Sequence, residues 1–241
     1  MNTYMAVSTQ ESKQSKLTNP LLRVISMWIW WFVGAAATAV AIIFLTGNSL
    51  SNYSAILSEH RHLVVYIEIV SVGLLPILYT IICKDDLQRY GLQRQSWRKG
   101  LVLSLLYVLF MYGVGYLVTG QIMSDSRPAI TVAVPWSIFY GLLSIFAWGP
   151  LEVFFVVWLI DNTDAIFGSR DKVFSWGLVI TVVIFGLTHI LTTDLFNATY
   201  TSFVFLILGL IFKTTRSSYG PMLAWTLING QVWFMAHLLF V

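Results

Sequence analysis

The chain has 241 residues, of which 57% are hydrophobic and only 10% charged, with 10 Trp, 11 Tyr and 16 Phe, a balance outside the range of soluble globular domains. The net charge of +3 would suggest nucleic acid in a soluble protein, but here the basic residues sit in short loops between apolar runs, where they report membrane topology. The lone Cys83 excludes an internal disulfide and any multi-cysteine metal site, and reads as a residue at a membrane boundary.

In chain order, residues 1–20 are polar and read as a flexible cytoplasmic tail closed by Pro20. Leu21–Leu45 is the first apolar run; its apolar character continues past the small residues Gly34–Ala41, which favours an uncleaved anchor over a signal peptide. The runs Leu63–Cys83, Leu101–Val118, Ile130–Ile160, Val173–Thr193, Thr199–Phe212 and Tyr219–Val241 follow, seven in all. Most have about the 20 residues that cross a bilayer. Ile130–Ile160 is too long for one straight span and predicts a kinked or broken helix, whereas Thr199–Phe212 is short and predicts a helix that borrows residues from its loops. The expected fold class is therefore all-α, a polytopic membrane bundle in a single domain over 21–241.

Twelve of the 14 Lys and Arg fall in the tail, the second, fourth and sixth loops, leaving Arg61 and Arg127 for the other side. By the positive-inside rule the N-terminus is cytoplasmic and the C-terminus outside, opposite to the usual seven-helix receptor. No internal repeat is visible, which weakens a transporter built from duplicated halves.

Within the apolar runs the ionisable residues are Glu68, Glu152, His189 and His237. Glu152 lies deep in Ile138–Ile160, where an acid at a helix centre costs roughly 2.5–3.5 kcal/mol and normally faces a protein interior or a wet cavity. Immediately before it come Gly149 and Pro150. Proline offers no N–H to the carbonyl one turn back, so the helix is expected to kink there; alternatively Pro150 is a first-turn residue that sets Glu152 at the positive end of a new helical piece. Both readings give a polar crevice within the membrane. Glu68 reads as an acid hydrogen-bonded to a neighbouring helix or water, and His237 as an interfacial or packing residue. HExxH, GxSxG, the dinucleotide-binding glycine pattern and the phosphate-binding loop are all missing from the sequence. What remains is acid–base chemistry by Glu152 with a histidine.

Three short motifs follow in order: GPLEVFFVV, Phe185–His189 (FGLTH) and Gly220–Asn229 (GPMLAWTLIN). They resemble the EExxxR, FxxxH and HxxxN motifs of the CAAX protease and bacteriocin-processing family, and the basic loop LQRYGLQRQSWRKG resembles the segment preceding that family's core helices, so the similarity covers about residues 85–235. Glu152 matches the first glutamate, with Val153 and Val157 in place of the second glutamate and the arginine; Phe185 and His189 match FxxxH fully; Asn229 matches the last position of HxxxN, whose histidine is replaced by Trp225. The resemblance implies that Glu152 and His189 activate a water, that Asn229 steadies an oxyanion, and that Phe185 and Trp225 lie against the substrate. It implies no cofactor or metal, and as partners a membrane-associated peptide or protein substrate and the lipid bilayer, with no nucleic acid. Two readings stay open: an intramembrane endopeptidase, or a pseudoprotease that binds without cutting. One tension stands in the spans themselves. His189 falls near the outer end of its run and Glu152 about eight residues from the inner end of its own, a depth mismatch at 1.5 Å per helical residue.

Overall fold

The computed structural model describes residues 18–49, 59–93, 96–120, 132–192 and 194–229. Most of the tail, the C-terminal part of Tyr219–Val241 and His237 fall outside these residues.

The first helix, α1 (Pro20–Leu45), begins where Asn19 Oδ1 accepts the orphan N–H groups of Leu21, at 3.0 Å, and Leu22. Pro20 is therefore the first helical residue and not the last of the tail, because a first-turn position needs no N–H and suits proline's fixed φ. The second span is one helix in three parts: α2 (Arg61–Glu68), a π turn (Ile69–Leu74) and α3 (Leu75–Ile82). The Trp30 indole donates to Val70 O at 2.8 Å, fastening that π turn to α1. After a 3₁₀ turn at Leu87–Tyr90 comes α4 (Trp97–Thr119). Then α5 (Trp136–Phe146) runs through a second π turn (Ala147–Leu151) into α6 (Glu152–Phe167), followed by α7 (Trp176–Thr192), α8 (Leu195–Thr215) and α9 (Tyr219–Ile228).

Among the described residues five helices are long and apolar enough to cross a membrane, and Trp176–Ile190 is a shorter apolar one. Their outer faces carry Phe44, Leu45, Leu109, Phe110, Leu117 and Phe196 exposed, an apolar surface that water would not tolerate but lipid solvates. The protein is an integral membrane protein with an all-helical polytopic bundle. Its hub is α5–α6. Of the most apolar window in Trp136–Phe167, 72% is buried, against 17% in Trp97–Val118. Around the hub, α6 packs on α1 and α7, α7 on α8, and α9 on α4 and on the second π turn.

Two further boundaries differ from the sequence expectation. The long run does not stop at Ile160: α6 continues seven residues to Phe167. Hydropathy falls there because the helix buries Asp161, Asn162, Thr163 and Asp164, each polar yet inside the protein. Thr199–Phe212 lies within a helix of 21 residues, started by Asp194, whose Oδ1 accepts Asn197 N–H at 2.7 Å.

The buried polar end of α6 fixes the bundle. Asp164 accepts from Ser169 Oγ at 2.6 Å, Ser175 Oγ at 2.9 Å, Gly177 N–H at 2.8 Å and Lys213 Nζ at 2.6 Å. Asp161 receives Arg89 at 2.7 Å and Arg170 at 3.0 Å. Arg23, also buried, reaches Asp85 Oδ2 at 2.7 Å and Asn162 Oδ1 at 3.1 Å, with its guanidinium over the Tyr79 and Trp158 rings. Buried charges are tolerated only when paired and hydrogen-bonded, and here every carboxylate has several donors. The tail end and the second, fourth and sixth loops thus meet at one end of the bundle. Several cations that read as topology signals are structural ties.

Candidate active site

The site forms where the second π turn enters α6. Pro150 cannot donate to Phe146 O, and the ladder adapts by widening: the Glu152 N–H reaches back five residues to Ala147 O. In a regular α-helix that N–H would bind Trp148 O. Released from the ladder, Trp148 O accepts Asn229 Nδ2 at 3.0 Å instead. The helix is continuous through the disruption, so Pro150 marks a π turn inside one long helix, and Glu152 is the first residue beyond it.

The Glu152 side chain is buried, and its Oε2 accepts the Trp225 indole N–H at 2.7 Å. Trp225 reaches it because α9 lies directly on the π turn, and the close approach depends on Gly149: a Cβ there would sit 2.2 Å from Thr226 Oγ1. From Trp225 an aromatic series leads to the histidine. Phe205 lies 4.7 Å from Trp225 and 5.1 Å from Phe185, and Phe185 meets the His189 ring edge-on at 4.9 Å, all between centroids. His189 Nδ1 is 2.9 Å from Phe185 O. A carbonyl only accepts, so in this bond Nδ1 carries the proton and Nε2 is the basic nitrogen.

The depth mismatch is resolved by the antiparallel pairing of α6 with α7. Asp164 binds Gly177 N–H, and Phe155 packs on Phe185 at 5.8 Å. Nine residues back along α6 thus correspond to eight forward along α7. Three further back is Glu152, and the matching step along α7 reaches Thr188 and His189. Because α6 extends to Phe167, Glu152 lies well inside the bundle, level with the last turns of α7.

The five side chains singled out in the sequence are therefore held by one set of elements: Glu152 on α6, Phe185 and His189 on α7, Trp225 and Asn229 on and just after α9. Phe185 and Trp225 are buried among aromatic neighbours. Val153 and Val157, where the family motif has a glutamate and an arginine, are buried apolar residues. Trp148 and its released carbonyl were not legible from sequence, although a proline two residues before a membrane-embedded acid signals that some backbone acceptor will be freed. Among the described residues no group of three or more His, Cys, Asp and Glu is placed to hold a metal ion.

Residues 133–231 match the family model of Rce1-like type II CAAX prenyl endopeptidases. The match begins just before α5 and takes in all five side chains, but not the basic loop before α4. No curated protein and no solved structure matches the chain.

Proposed function

We propose, taking as premise that residues 133–231 are an Rce1-like domain of the CAAX protease and bacteriocin-processing family, that this protein is an intramembrane endopeptidase. It would hydrolyse a peptide bond of a membrane-bound peptide or protein close to the bilayer surface. Glu152 acts as the general base on water, His189 through Nε2 completes the proton path, and Asn229 donates to the oxyanion. The observation that carries this reading is the buried Glu152 carboxylate, aimed at α9 and level with His189. A carboxylate has about four lone-pair sites, so one indole does not exhaust its capacity to hold a water. The distribution of Lys and Arg supports a cytoplasmic N-terminus and an external C-terminus, and the membrane we propose is the cell membrane. Proteolysis in detergent against a library of membrane-proximal peptides tests the activity, with Glu152→Gln as the blank; equal cleavage by both proteins would end this reading. A reporter in the loop 85–99 should read as cytoplasmic and one after Val241 as external.

A second reading is favoured by the same tryptophan. Trp225 fills the place of the motif's histidine and ties up one carboxylate oxygen, and an indole donates without shuttling protons. On that reading the fold binds a membrane partner without cutting it. A partner complex that survives Glu152→Gln, together with no cleavage by the wild type, would select it.

A further inference from the structure

Asn229, the candidate oxyanion donor, stands at the end of a helix. It caps α9 with its backbone N–H on Trp225 O at 2.8 Å, so the turn that it closes runs from Trp225 to Asn229 and carries two of the five site residues. Between them lies Leu227, whose carbonyl accepts the Tyr112 hydroxyl from α4 at 3.0 Å. The carbonyls of a helix's last turn look outside the helix for donors, and helix ends fray where none arrives. Here the donor is a half-buried residue that lies outside the segment matched by the family model.

The hydroxyl arrives in register because α4 and α9 run side by side in the same direction from a close contact near their starts. A Cβ on Gly220 would lie 2.3 Å from Gly100 O and 2.7 Å from Ser104 Oγ, so α9 can approach α4 this closely only with glycine there. At 1.5 Å per helical residue, Tyr112 stands about 12 Å beyond Ser104 along α4, and Leu227 about 10 Å beyond Gly220 along α9. The two helices are thus tied near both ends of α9, by a backbone contact at its start and by one hydrogen bond at its finish.

We infer that Tyr112 is a positioning residue of the candidate site. By holding Leu227 O it fixes the last turn of α9 against α4, and with that turn the place from which the Asn229 amide reaches out. Asn229 is then located from two directions: its side chain by Trp148 O at 3.0 Å, and its backbone by the turn that Tyr112 anchors. Tyr112 acts through the α9 backbone and not on the reacting peptide. The residue also packs against the core, so Tyr112→Phe keeps the ring in place and removes the hydroxyl alone.

The consequence for catalysis rests on the endopeptidase reading, so the test has a readout that does not. In the full-length protein in detergent micelles, selective labelling reports the Leu227 ¹³C carbonyl and the Asn229 ¹⁵N side-chain amide, with Leu227→Met and Asn229→Ala assigning the signals. Tyr112→Phe should shift both resonances, whereas Tyr116→Phe, at an exposed position on the same helix, should shift neither. A ring-fluorinated tyrosine at position 112, a stronger donor while protonated, should move the Leu227 carbonyl in the opposite direction, and it serves in place of Tyr112→Phe if that variant does not fold. In a peptide-cleavage assay Tyr112→Phe should lower kcat by about 10- to 100-fold with KM little changed, the size expected when a reacting group is misplaced by about 1 Å. Added to Asn229→Ala it should cost little more, because it acts through that residue. A Leu227 carbonyl that responds to neither change, an Asn229 amide that stays still when the carbonyl moves, or losses that multiply in the double variant overturns the inference. If both resonances respond as stated while the wild type cleaves no peptide, the endopeptidase reading fails and the positioning role of Tyr112 stands.

Discussion

The Trp225 indole N–H donates to Glu152 Oε2 at 2.7 Å, joining two buried side chains that are 73 residues apart. Trp225 is one of three residues, with Val153 and Val157, at which the chain departs from the motifs it resembles, and its bond sets the first prediction. Trp225→His restores a group that can donate to an oxyanion, and shortens the side chain that now occupies the acid. Losing one oxyanion donor typically costs about 100- to 1000-fold in rate, so the substitution should raise a weak peptidase activity by up to that factor. The comparison is kcat of Trp225→His against wild type on one membrane-proximal peptide. No gain, with Glu152 intact, favours the non-cutting reading.

The π turn gives two substitutions of opposite sign. Pro150→Ala restores a backbone donor and should let the ladder close to regular α geometry, raising the thermal midpoint by a few degrees while withdrawing the Trp148 carbonyl from Asn229. Activity or partner binding should fall. Gly149→Ala instead drives a Cβ to within 2.2 Å of Thr226 Oγ1, and overpacking of this kind typically costs about 1–3 kcal/mol. Thermal unfolding in detergent separates the two; a Pro150→Ala protein with unchanged midpoint and unchanged function would deny the π turn its role.

What was legible from sequence tracks what hydropathy can see. Apolar runs located the spans, and proline before an intramembrane acid located the disrupted helix. Hydropathy failed at Asp161–Asp164, because four polar residues that look like a loop remain helical once Arg89, Arg170 and Lys213 arrive from elsewhere to pair with the acids. That same error produced the depth mismatch between Glu152 and His189. The pairing of Trp225 with Glu152 was equally hidden, since it depends on how α9 lies across the π turn and no periodicity encodes that.

The ionic end of α6 should dominate stability. Lys213 and Asp164 are both buried and 2.6 Å apart, so Lys213→Met strands a carboxylate that keeps only neutral donors. Breaking a buried pair from one side costs about 3–5 kcal/mol. Asp164→Asn added to Lys213→Met should recover part of the loss by removing the unpaired charge. Midpoints of the wild type and the two variants in one detergent decide this, and a Lys213→Met midpoint equal to that of the wild type would mean the pair contributes nothing.

The loop before α4 gives a pH prediction. Tyr90 is buried with its hydroxyl on Asp85 Oδ2, and burial first, then that carboxylate, push its phenol above the ordinary value of 10.0. A raised folded value means that the folded state favours the protonated phenol. The contribution is complete below about pH 10 and lost as the pH climbs beyond it towards the folded value. The thermal midpoint should stay level between neutral pH and about 9 and then decline, and Tyr90→Phe should flatten the alkaline decline while lowering the midpoint at neutral pH. An alkaline decline unchanged in Tyr90→Phe would assign it to another group.

The last prediction concerns Glu152 and His189 as one unit. Their helices are fixed in register at the far end by Asp164 on Gly177 N–H, where a Cβ on Gly177 would lie 2.3 Å from Ile160 O, and in the middle by Phe155 on Phe185. Neither residue therefore sets its own depth; the pairing of α6 with α7 does. If the two handle the proton of a single water, Glu152→Gln and His189→Ala should each remove nearly all cleavage, and the double change should cost little more, since groups that act together are strongly non-additive. Losses that multiply in the double variant would show two independent roles. The register argument supplies a control that leaves both side chains in place: Gly177→Ala should push α7 away from α6 and lower kcat more than KM changes, because proton transfer is sensitive to displacements of about 1 Å. A Gly177→Ala protein that folds and cleaves at the wild-type rate would show that the α6–α7 register does not govern the pair.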